Sequence, residues 1–366
     1  MASHPTIGVE EEFLLVDPST GEPVARNTRV AELAAAKGVE LQLELTSCQV
    51  ETATEVAATL DDLRAQLLRL RGVTRDAAAA AGAQLLAVGL PPTVPHHFPI
   101  TDSPRYRQIG ERFGMIAHEQ GICGSHVHVA VPNREAAIRV SNRLRPWLPL
   151  LLALTANSAI YRNADSGYAS WRQVLWSRWP SAGPPPHFDS VDDYDATVQQ
   201  LQNVGAMLDD GMVYWDVRPS ENFPTVEVRV ADVPATAAET VLLAALTRAA
   251  VMTALDDEAR GVGVPRLRQH ELAAAQWKSA RDGLDGLAVD PFGDRGLAPA
   301  IELLRELVER LAPALRAVGD FEFVDAELGR VFADGNGAMR QRAAWARRGA
   351  VSDVIEVAAA ATAEGC

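Results

Sequence analysis

The sequence predicts an α+β fold in which an antiparallel β-sheet is backed by helices. Several short segments alternate between apolar and charged residues, which is the pattern of strands with one face on a core and the other face open. These segments do not alternate regularly with helices, as they would in a doubly wound fold. No unit of roughly 20–50 residues repeats, so a solenoid or propeller is excluded.

The first strand is predicted near the N-terminus, within "TIGVEEEFLLVD". Alternation places Glu10 and Glu12 on one face and Val9, Glu11 and Phe13 on the other. Carboxylates in such a segment are costly unless a positive partner neutralises them. The three consecutive glutamates therefore predict a cation, or several, contributed by another part of the chain or by a metal.

The later elements follow from periodicity and end signals. Further strands are predicted at 39–45, 84–90, 123–131, 213–218 and 225–230, and helices at 59–82, 134–161, 191–208 and from 236 onward. Thr59, Ser190 and Thr236 each precede an acidic residue by three positions, as helix N-caps do. The segment 162–188 is rich in Gly, Pro, Trp and Arg, and its irregularity predicts a lid or binding loop.

Composition narrows the class of protein. The net charge of −14 argues against a nucleic-acid partner, whose binding proteins are basic. Cys48, Cys123 and Cys366 are scattered, so we expect neither a disulfide framework nor a zinc site. The apolar stretch at 146–161 is interrupted by polar residues and is predicted to be a buried helix rather than a membrane span. Without a signal-peptide pattern at the start, a cytoplasmic enzyme is expected.

Charged residues share one face of several predicted strands. An antiparallel strand with a solvated face alternates in the same way, so no single pair indicates a site. Together, however, the acidic residues outnumber the basic ones and would repel each other. These residues are Glu10 and Glu12, then Glu44 and Glu51, then His126 and His128, and finally Glu227 with Arg229.

Hard divalent cations would remove that repulsion. Mg²⁺ takes carboxylate oxygens, Mn²⁺ tolerates an added histidine, and zinc would prefer more His or Cys. Because one Mg²⁺ seldom needs five protein ligands, we expect more than one ion and hence phosphoryl-transfer chemistry. Neither a GxxxxGKS/T loop nor an HRDxxxxN motif is present, so the usual NTPase and kinase scaffolds are excluded.

Four ordered motifs resemble the glutamate–cysteine ligase type 2 family of carboxylate–amine ligases. They are "GVEEEFLLVD", "ELTSCQVE", "GSHVHV" and "TVEVRVAD". The resemblance runs from about Thr6 to Val251 and continues more loosely through 277–286 and 335–343. It implies a fold similar to the glutamine synthetase catalytic domain, a curved antiparallel sheet forming a funnel, and ATP-dependent amide formation.

The resemblance also implies roles for individual residues. Two or three Mg²⁺ ions would be held by Glu10, Glu12, Glu44, Glu51, His126 and Glu227. Arg229, with Glu227, would act catalytically by facing the transferred phosphate or the substrate carboxylate. Arg162, Tyr168 and Arg172 are predicted to bind substrate, since guanidinium groups suit carboxylates and phosphates. A structural role is expected for His128 and for buried Cys123, and Glu11 is placed outside the site.

Two departures from the family pattern concern the substrate pocket. "GLPP" at 89–92 stands where "GTHP" is expected, which leaves His96 or His97 as substitutes for the missing histidine. Cys48 occupies a position where Gly or Ser is more usual.

Three functions remain open at this stage: a ligase joining glutamate or another acid to cysteine or another amine, a metal-dependent hydrolase or phosphotransferase, and a nucleotide sensor. We expect a single domain over 1–366, with the metal and ATP core at about 6–251 and a helical part at 252–366. A homodimer through the helix at 299–318 is a further hypothesis.

Overall fold

The computed structural model describes residues 4–95, 97–119, 121–264, 266–293 and 296–366. The predicted α+β class is confirmed, because an antiparallel sheet is backed by helices. The strands are β1 (Ile7–Val16), β2 (Gln42–Leu43), β3 (Gln49–Ala53), β4 (Gln84–Leu86), β5 (Gly124–Ala130), β6 (Ile160–Tyr161), β7 (Ala164–Asp165), β8 (Val217–Pro219), β9 (Thr225–Asp232), β10 (Leu287–Val289) and β11 (Leu297–Pro299).

Helices occupy most of the remaining described chain. They are α1 (Asn27–Ala35), α2 (Leu60–Ala80), α3 (Pro104–Phe113), α4 (Met115–His118), α5 (Arg134–Leu144), α6 (Leu148–Thr155), α7 (Trp171–Trp176), α8 (Val191–Asn203), α9 (Ala237–Ala259), α10 (Gln269–Asp282), α11 (Ala300–Val318), α12 (Phe321–Asp334), α13 (Gly337–Arg348) and α14 (Val351–Thr362). The predicted N-caps are confirmed, since Thr59, Ser190 and Thr236 accept hydrogen bonds from backbone amides three residues on.

Strand β1 is the centre of the main sheet. Over the described residues, this sheet has seven strands in the order β2–β3–β1–β5–β9–β8, and β4 also pairs with β1. Both the β1–β3 and the β1–β5 pairings are antiparallel. Strands that are far apart in the chain thus bring their alternating faces together.

One face of this sheet lies on the main hydrophobic core. Alternate residues of β1, β5 and β9, such as Val9, Val127 and Val228, are buried there against α9. The C-terminal helices join the same core through residues such as Leu303 and Leu307 of α11. This apolar side of α11 is covered within the chain, and the homodimer through 299–318 stays a prediction.

Helix α9 is unusually apolar. In the described ranges it is the one helix long and apolar enough to cross a membrane, and 78% of its apolar window is buried inside the protein. Core helices meet the same criteria, so this finding is weak evidence for a membrane span.

Several predicted segments differ in the structure. The strands expected at 39–45 and 84–90 are shortened to β2 and β4. The helix expected at 134–161 is divided into α5 and α6, with Pro149 in the first turn of α6, because proline suits a helix start and disrupts a helix interior. The segment 162–188 is only partly irregular, since it contains β7 and α7. The strand expected at 213–218 is reduced to β8, and Trp215 before it forms an isolated bridge with Gly183 instead.

Candidate metal and substrate site

The strand register brings the predicted site residues together. Glu12 of β1 lies directly opposite Glu51 of β3, and Glu10 lies opposite His126 of β5. On the next pairing, His128 lies opposite Glu227 of β9. Directly opposed residues have neighbouring side chains on the same face of a sheet. The charged face therefore runs without interruption across β3, β1, β5 and β9.

A bulge between β5 and β9 shapes the middle of this face. The register shifts between Ser125 and Val127, so His126 lies opposite two residues of β9. Bulges re-aim side chains near functional sites. Here the shift brings Arg229 beside His126, with 3.2 Å between Arg229 Nη1 and His126 Nδ1.

The charged face forms the floor of a cleft of about 760 Å³. Seven residues predicted from the sequence line it: Glu10, Glu12, Glu44, Glu51, His126, Arg172 and Arg229. Aromatic side chains, among them Tyr106, Trp176 and Tyr214, form part of its walls. A cleft of this size and mixed lining is typical of a small-molecule site.

Among the described residues, no arginine or lysine is ion-paired directly to the first acidic group, although the charges of Arg172 and Arg229 act on Glu12 from farther away. Glu12, Glu44 and Glu51 offer ligand oxygens within 4.8 Å of one another. Burial and the charge of Glu44 raise the pKa of Glu12 to about 8, although the 2.6 Å hydrogen bond from the Gly124 amide opposes the shift. Burial and the same neighbour raise the pKa of Glu51 well above its ordinary value. A cation bound between these carboxylates would stabilise their ionised forms.

The second group joins Glu10 and Glu51 to His126, again within 4.8 Å. Burial, with the charge of Arg229, lowers the pKa of His126 to about 4, so the ring is neutral at pH 7. His126 Nδ1 lies 2.9 Å from Glu10 Oε2. With a proton on Nδ1 donated to Glu10, the Nε2 lone pair is available to a metal.

The third group, Glu10, His128 and Glu227, is already balanced by cations. Glu227 accepts a 2.8 Å hydrogen bond from Arg218 Nε and is also ion-paired to Arg229. Burial would raise the pKa of Glu227, but these two guanidinium groups hold it well below its ordinary value. His128 Nε2 is buried without a hydrogen-bond partner among the described residues, 3.4 Å from Glu10 Oε1.

The donor set fits hard divalent cations. Its oxygens come from closely spaced carboxylates, and its nitrogen comes from a neutral histidine. Burial and the charge of Glu44 raise the pKa values of Glu12 and Glu51. Mg²⁺ and Mn²⁺ accept such ligands. Among the predicted ligands, Glu12, Glu44 and Glu51 have the greatest need of an ion, whereas Glu227 has the least.

Comparison with known proteins shows the family of the chain. Residues 6–357 match the model of glutamate–cysteine ligase family 2. The chain belongs to this family. Relatives include "Putative glutamate--cysteine ligase 2-3" of Mycolicibacterium smegmatis (strain ATCC 700084 / mc(2)155), which is 69% identical over 99% of both chains. Another is "Putative glutamate--cysteine ligase 2-2" of Mycobacterium sp. (strain KMS), which is 68% identical over 99% of this chain and 100% of the relative.

Solved structures share the fold of this family 2 ligase. A bifunctional glutathione synthetase from Pasteurella multocida superposes with a TM-score of 0.70 at 15% identity, and the match covers 99% of this chain and 53% of that one. A glutamate–cysteine ligase from Francisella tularensis in complex with AMP gives a TM-score of 0.68 at 14% identity, covering 98% and 88% of the two chains. At such low identity the likeness establishes the fold alone.

The predicted substrate-binding residues of this family 2 ligase separate in space. Arg172 lines the cleft and is 2% exposed. Arg162 lies in the β6–β7 turn, where its backbone φ is 51°. Its side chain is exposed, and its Nη2 lies 3.5 Å from Glu119 Oε1. Tyr168 packs beside Trp171 and accepts a hydrogen bond from Trp277 Nε1. Neither Arg162 nor Tyr168 is among the described residues that line the cleft, so their binding role stays a prediction without geometric support.

Several cleft residues were not predicted from the sequence. Arg218 is the partner of Glu227, and Tyr106 and Tyr214 stand in the walls. His128 shares a face with His126 but is not among the described residues that line the cleft. No pattern marked Tyr106, because it comes from a separate helix, α3, that only tertiary packing brings to the sheet.

The two sequence departures have different outcomes. Cys48 is fully buried in a core of apolar side chains, and burial raises the pKa of its thiol to about 12, so it is inert packing. Cys123 is buried as expected. His97 packs edge-on against the ring of His118 and is not among the described residues that line the cleft. His96 lies outside the described residues.

Proposed function

We propose that this protein is an ATP-dependent carboxylate–amine ligase that forms an amide through an acyl phosphate. The acid is the γ-carboxyl of glutamate, and the acceptor is an amine such as cysteine. One observation carries the proposal: five predicted ligands and two arginines, Arg172 and Arg229, converge on one cleft in a chain of glutamate–cysteine ligase family 2. The cytoplasm and a single domain over 1–366 belong to the same proposal.

The reaction explains why such a cleft is needed. A carboxylate oxygen attacks the γ-phosphorus of ATP and ADP leaves. The amine nitrogen then attacks the acyl carbon, phosphate leaves, and the nitrogen loses a proton to solvent. Carboxylate and triphosphate repel each other, and Mg²⁺ would supply the neutralising charge when bound. Glu10, Glu12, Glu44, Glu51 and His126 would hold these ions, with Mn²⁺ as a possible substitute.

The arginines of the chain act on the anions directly. Arg229 lies on the cleft floor, held by its ion pair to Glu227, where its guanidinium stabilises the transferring phosphoryl group. Burial opposes its charge, but Glu227 raises the pKa of Arg229, so it stays protonated. Arg172 binds the anionic group of a substrate from the inner wall.

An ADP-release screen tests this function. ATP, Mg²⁺ and glutamate are held constant while a panel of amines is varied, and adducts are identified by mass spectrometry. We expect ADP and phosphate only when acid and amine are both present. Phosphate release without an amine would indicate a hydrolase, and nucleotide binding without turnover would indicate a sensor.

Glu227→Gln is the companion variant. Loss of this carboxylate frees Arg218 and Arg229 from their shared partner, so we expect turnover to fall by on the order of 100-fold. Its control is Glu221→Gln at the cleft rim, which removes a carboxylate without breaking this pair. Normal turnover by Glu227→Gln would show that the assigned site is wrong.

A further inference from the structure

A buried carboxylate that the proposed reaction does not use lies behind the cleft. Asp232, at the end of β9, has no exposed surface. Its Oδ2 accepts hydrogen bonds from the Asn157 amide at 2.8 Å and from Ser158 Oγ at 2.7 Å. Its Oδ1 accepts one from Ser170 Oγ at 2.8 Å and lies 3.7 Å from Arg172 Nη1. These contacts fix the carboxylate in one orientation, directed at Arg172.

Two glycines make room for this pair. A Cβ on Gly89 would lie 2.7 Å from Asp232 Oδ2, and a Cβ on Gly124 would lie 2.5 Å from Arg172 Nη2. Both distances are shorter than real side-chain contacts. Gly89, the first residue of the "GLPP" loop, therefore admits the carboxylate, and Gly124 admits the guanidinium.

The guanidinium of Arg172 lies between this support and the predicted metal ligands. Nη1 donates to the Val230 carbonyl at 3.3 Å, while Nη2 lies against Gly124. The Gly124 amide, in turn, donates to Glu12 Oε2 at 2.6 Å. Arg172 is thus connected to Glu12 through Gly124, and both side chains line the same cleft.

A second buried arginine shows what a purely structural role looks like. Arg71 donates from Nε and Nη2 to Glu11, and from Nη1 to the Ala235 carbonyl. Arg172 Nε, in contrast, is buried without a hydrogen-bond partner among the described residues. A buried unpaired donor is costly. Arg248 Nε, away from the cleft, is unpaired in the same way, so it is the position of Arg172 in the cleft lining that points to a ligand.

We propose that Asp232 is the positioning residue for Arg172: it holds the guanidinium against Gly124 and supplies the counter-charge, which leaves donors of Arg172 for an anionic oxygen group in the cleft. The inference rests on the proposed function for the identity of that anion. The carboxylate of the acid substrate and the phosphate of ATP are both anionic oxygen groups that accept hydrogen bonds from a guanidinium. Glutamate is the expected source, because Arg229 already faces the phosphoryl position.

Steady-state kinetics of Asp232→Asn test the proposal. The variant keeps the size of the side chain but removes the charge and places an amide where an acceptor stood. We expect the KM for glutamate to rise roughly 10- to 100-fold, while the KM for ATP·Mg²⁺ is unchanged. A rise in the KM for ATP instead would support positioning and assign the anion to the nucleotide. If neither KM changes in a folded variant, the proposal is overturned.

Asp320→Asn is the matched control. Asp320 is also a buried aspartate paired with a buried arginine, Arg248, and neither is among the described residues that line the cleft. It is expected to lose stability without a change in either KM. Equal KM changes in both variants would mean that general loosening of the fold causes the effect, and would overturn the positioning role.

A second variant tests the same proposal if Asp232→Asn does not fold. Gly124→Ala keeps the Asp232 side chain and its Asn157, Ser158 and Ser170 donors but places a methyl group where Arg172 Nη2 lies. We expect the same selective rise in the KM for glutamate, and unchanged KM values would overturn the proposal.

Crystal structures separate this inference from the proposed function. If the wild-type enzyme releases no ADP with any amine, the function fails, and the position of Arg172 still decides the inference. We expect the guanidinium to leave Gly124 in Asp232→Asn. A guanidinium that stays in place would overturn the positioning role.

Discussion

The two faces of β1 carry glutamates in opposite electrostatic states. On the core face, Glu11 is fully buried and accepts hydrogen bonds from Arg71 Nη2 and from Thr240 Oγ1, both at 2.6 Å. On the cleft face, Glu12 lies opposite Glu51, and the pKa values of both are raised by burial and by the charge of Glu44. Adjacent residues of one strand thus differ in whether an arginine of the chain is in direct contact with the carboxylate.

This difference separates a structural carboxylate from a binding one. A buried charge that is fully paired within the chain joins elements, here β1, α2 and α9. A group of carboxylates left without a cation costs free energy until an ion arrives. The cleft face is therefore expected to gain stability from Mg²⁺, and the core face is not.

Breaking the core-face pair should have the largest effect on stability. Arg71→Ala leaves Glu11 buried without its partner, so the free energy of unfolding should fall by about 3–5 kcal/mol in chemical denaturation. Arg75→Ala on the same helix is the matched control, since Arg75 is partly exposed and contacts exposed Asp76 and the carbonyl of Cys366. Its expected loss is within about 0.5 kcal/mol. Equal losses in the two variants would contradict the assigned role of Glu11.

Removing a charged group on the cleft face should not lower the stability of the metal-free protein. Glu51→Gln removes one of three repelling carboxylates, so the metal-free protein should be at least as stable as the wild type. The Mg²⁺-dependent rise in Tm should be lost, and turnover should fall by on the order of 100-fold. Glu55→Gln, an exposed position four residues on, should change neither. A Glu51→Gln variant that keeps its Mg²⁺ response would refute the metal assignment.

The smallest expected effect is a pH dependence of the metal-free stability. The folded-state pKa of Glu12, about 8, exceeds its ordinary value of 4.5. The protonated form is therefore favoured by folding, and its stabilising contribution is complete below pH 4.5 and lost as the pH rises through 8. Metal-free Tm should decrease over this window, and added Mg²⁺ should raise Tm more at pH 8 than at pH 6. A Mg²⁺ effect that does not vary with pH would contradict the raised pKa.

Local patterns in the sequence predicted a large part of the site. Alternation alone placed Glu10 and Glu12 on one face of β1 and Glu11 on the other, because successive side chains of a strand point in opposite directions. The helix starts after Thr59, Ser190 and Thr236 followed from cap chemistry, which is also local. The family motifs added the ligand set and the direction of the chemistry.

The prediction was weakest where partners are distant or turns intervene. Arg162 lies in a hairpin turn that its sequence did not reveal, which takes its side chain away from the cleft. Arg218 was missed because its meaning depends on lying opposite Glu227 across the β8–β9 pairing.

The sequence by itself determined which faces are charged, where helices begin and which metal-binding residue types are present, since these depend on neighbours a few positions apart. Only the tertiary structure decided which charges meet a partner. Arg71 reaches Glu11 across 60 residues of chain, and Ser158 reaches Asp232 across 74. Strand register, one bulge and the close approach allowed by Gly89 and Gly124 decide which charged side chains come into contact in and behind the cleft. Each of these depends on packing between segments that no local pattern connects.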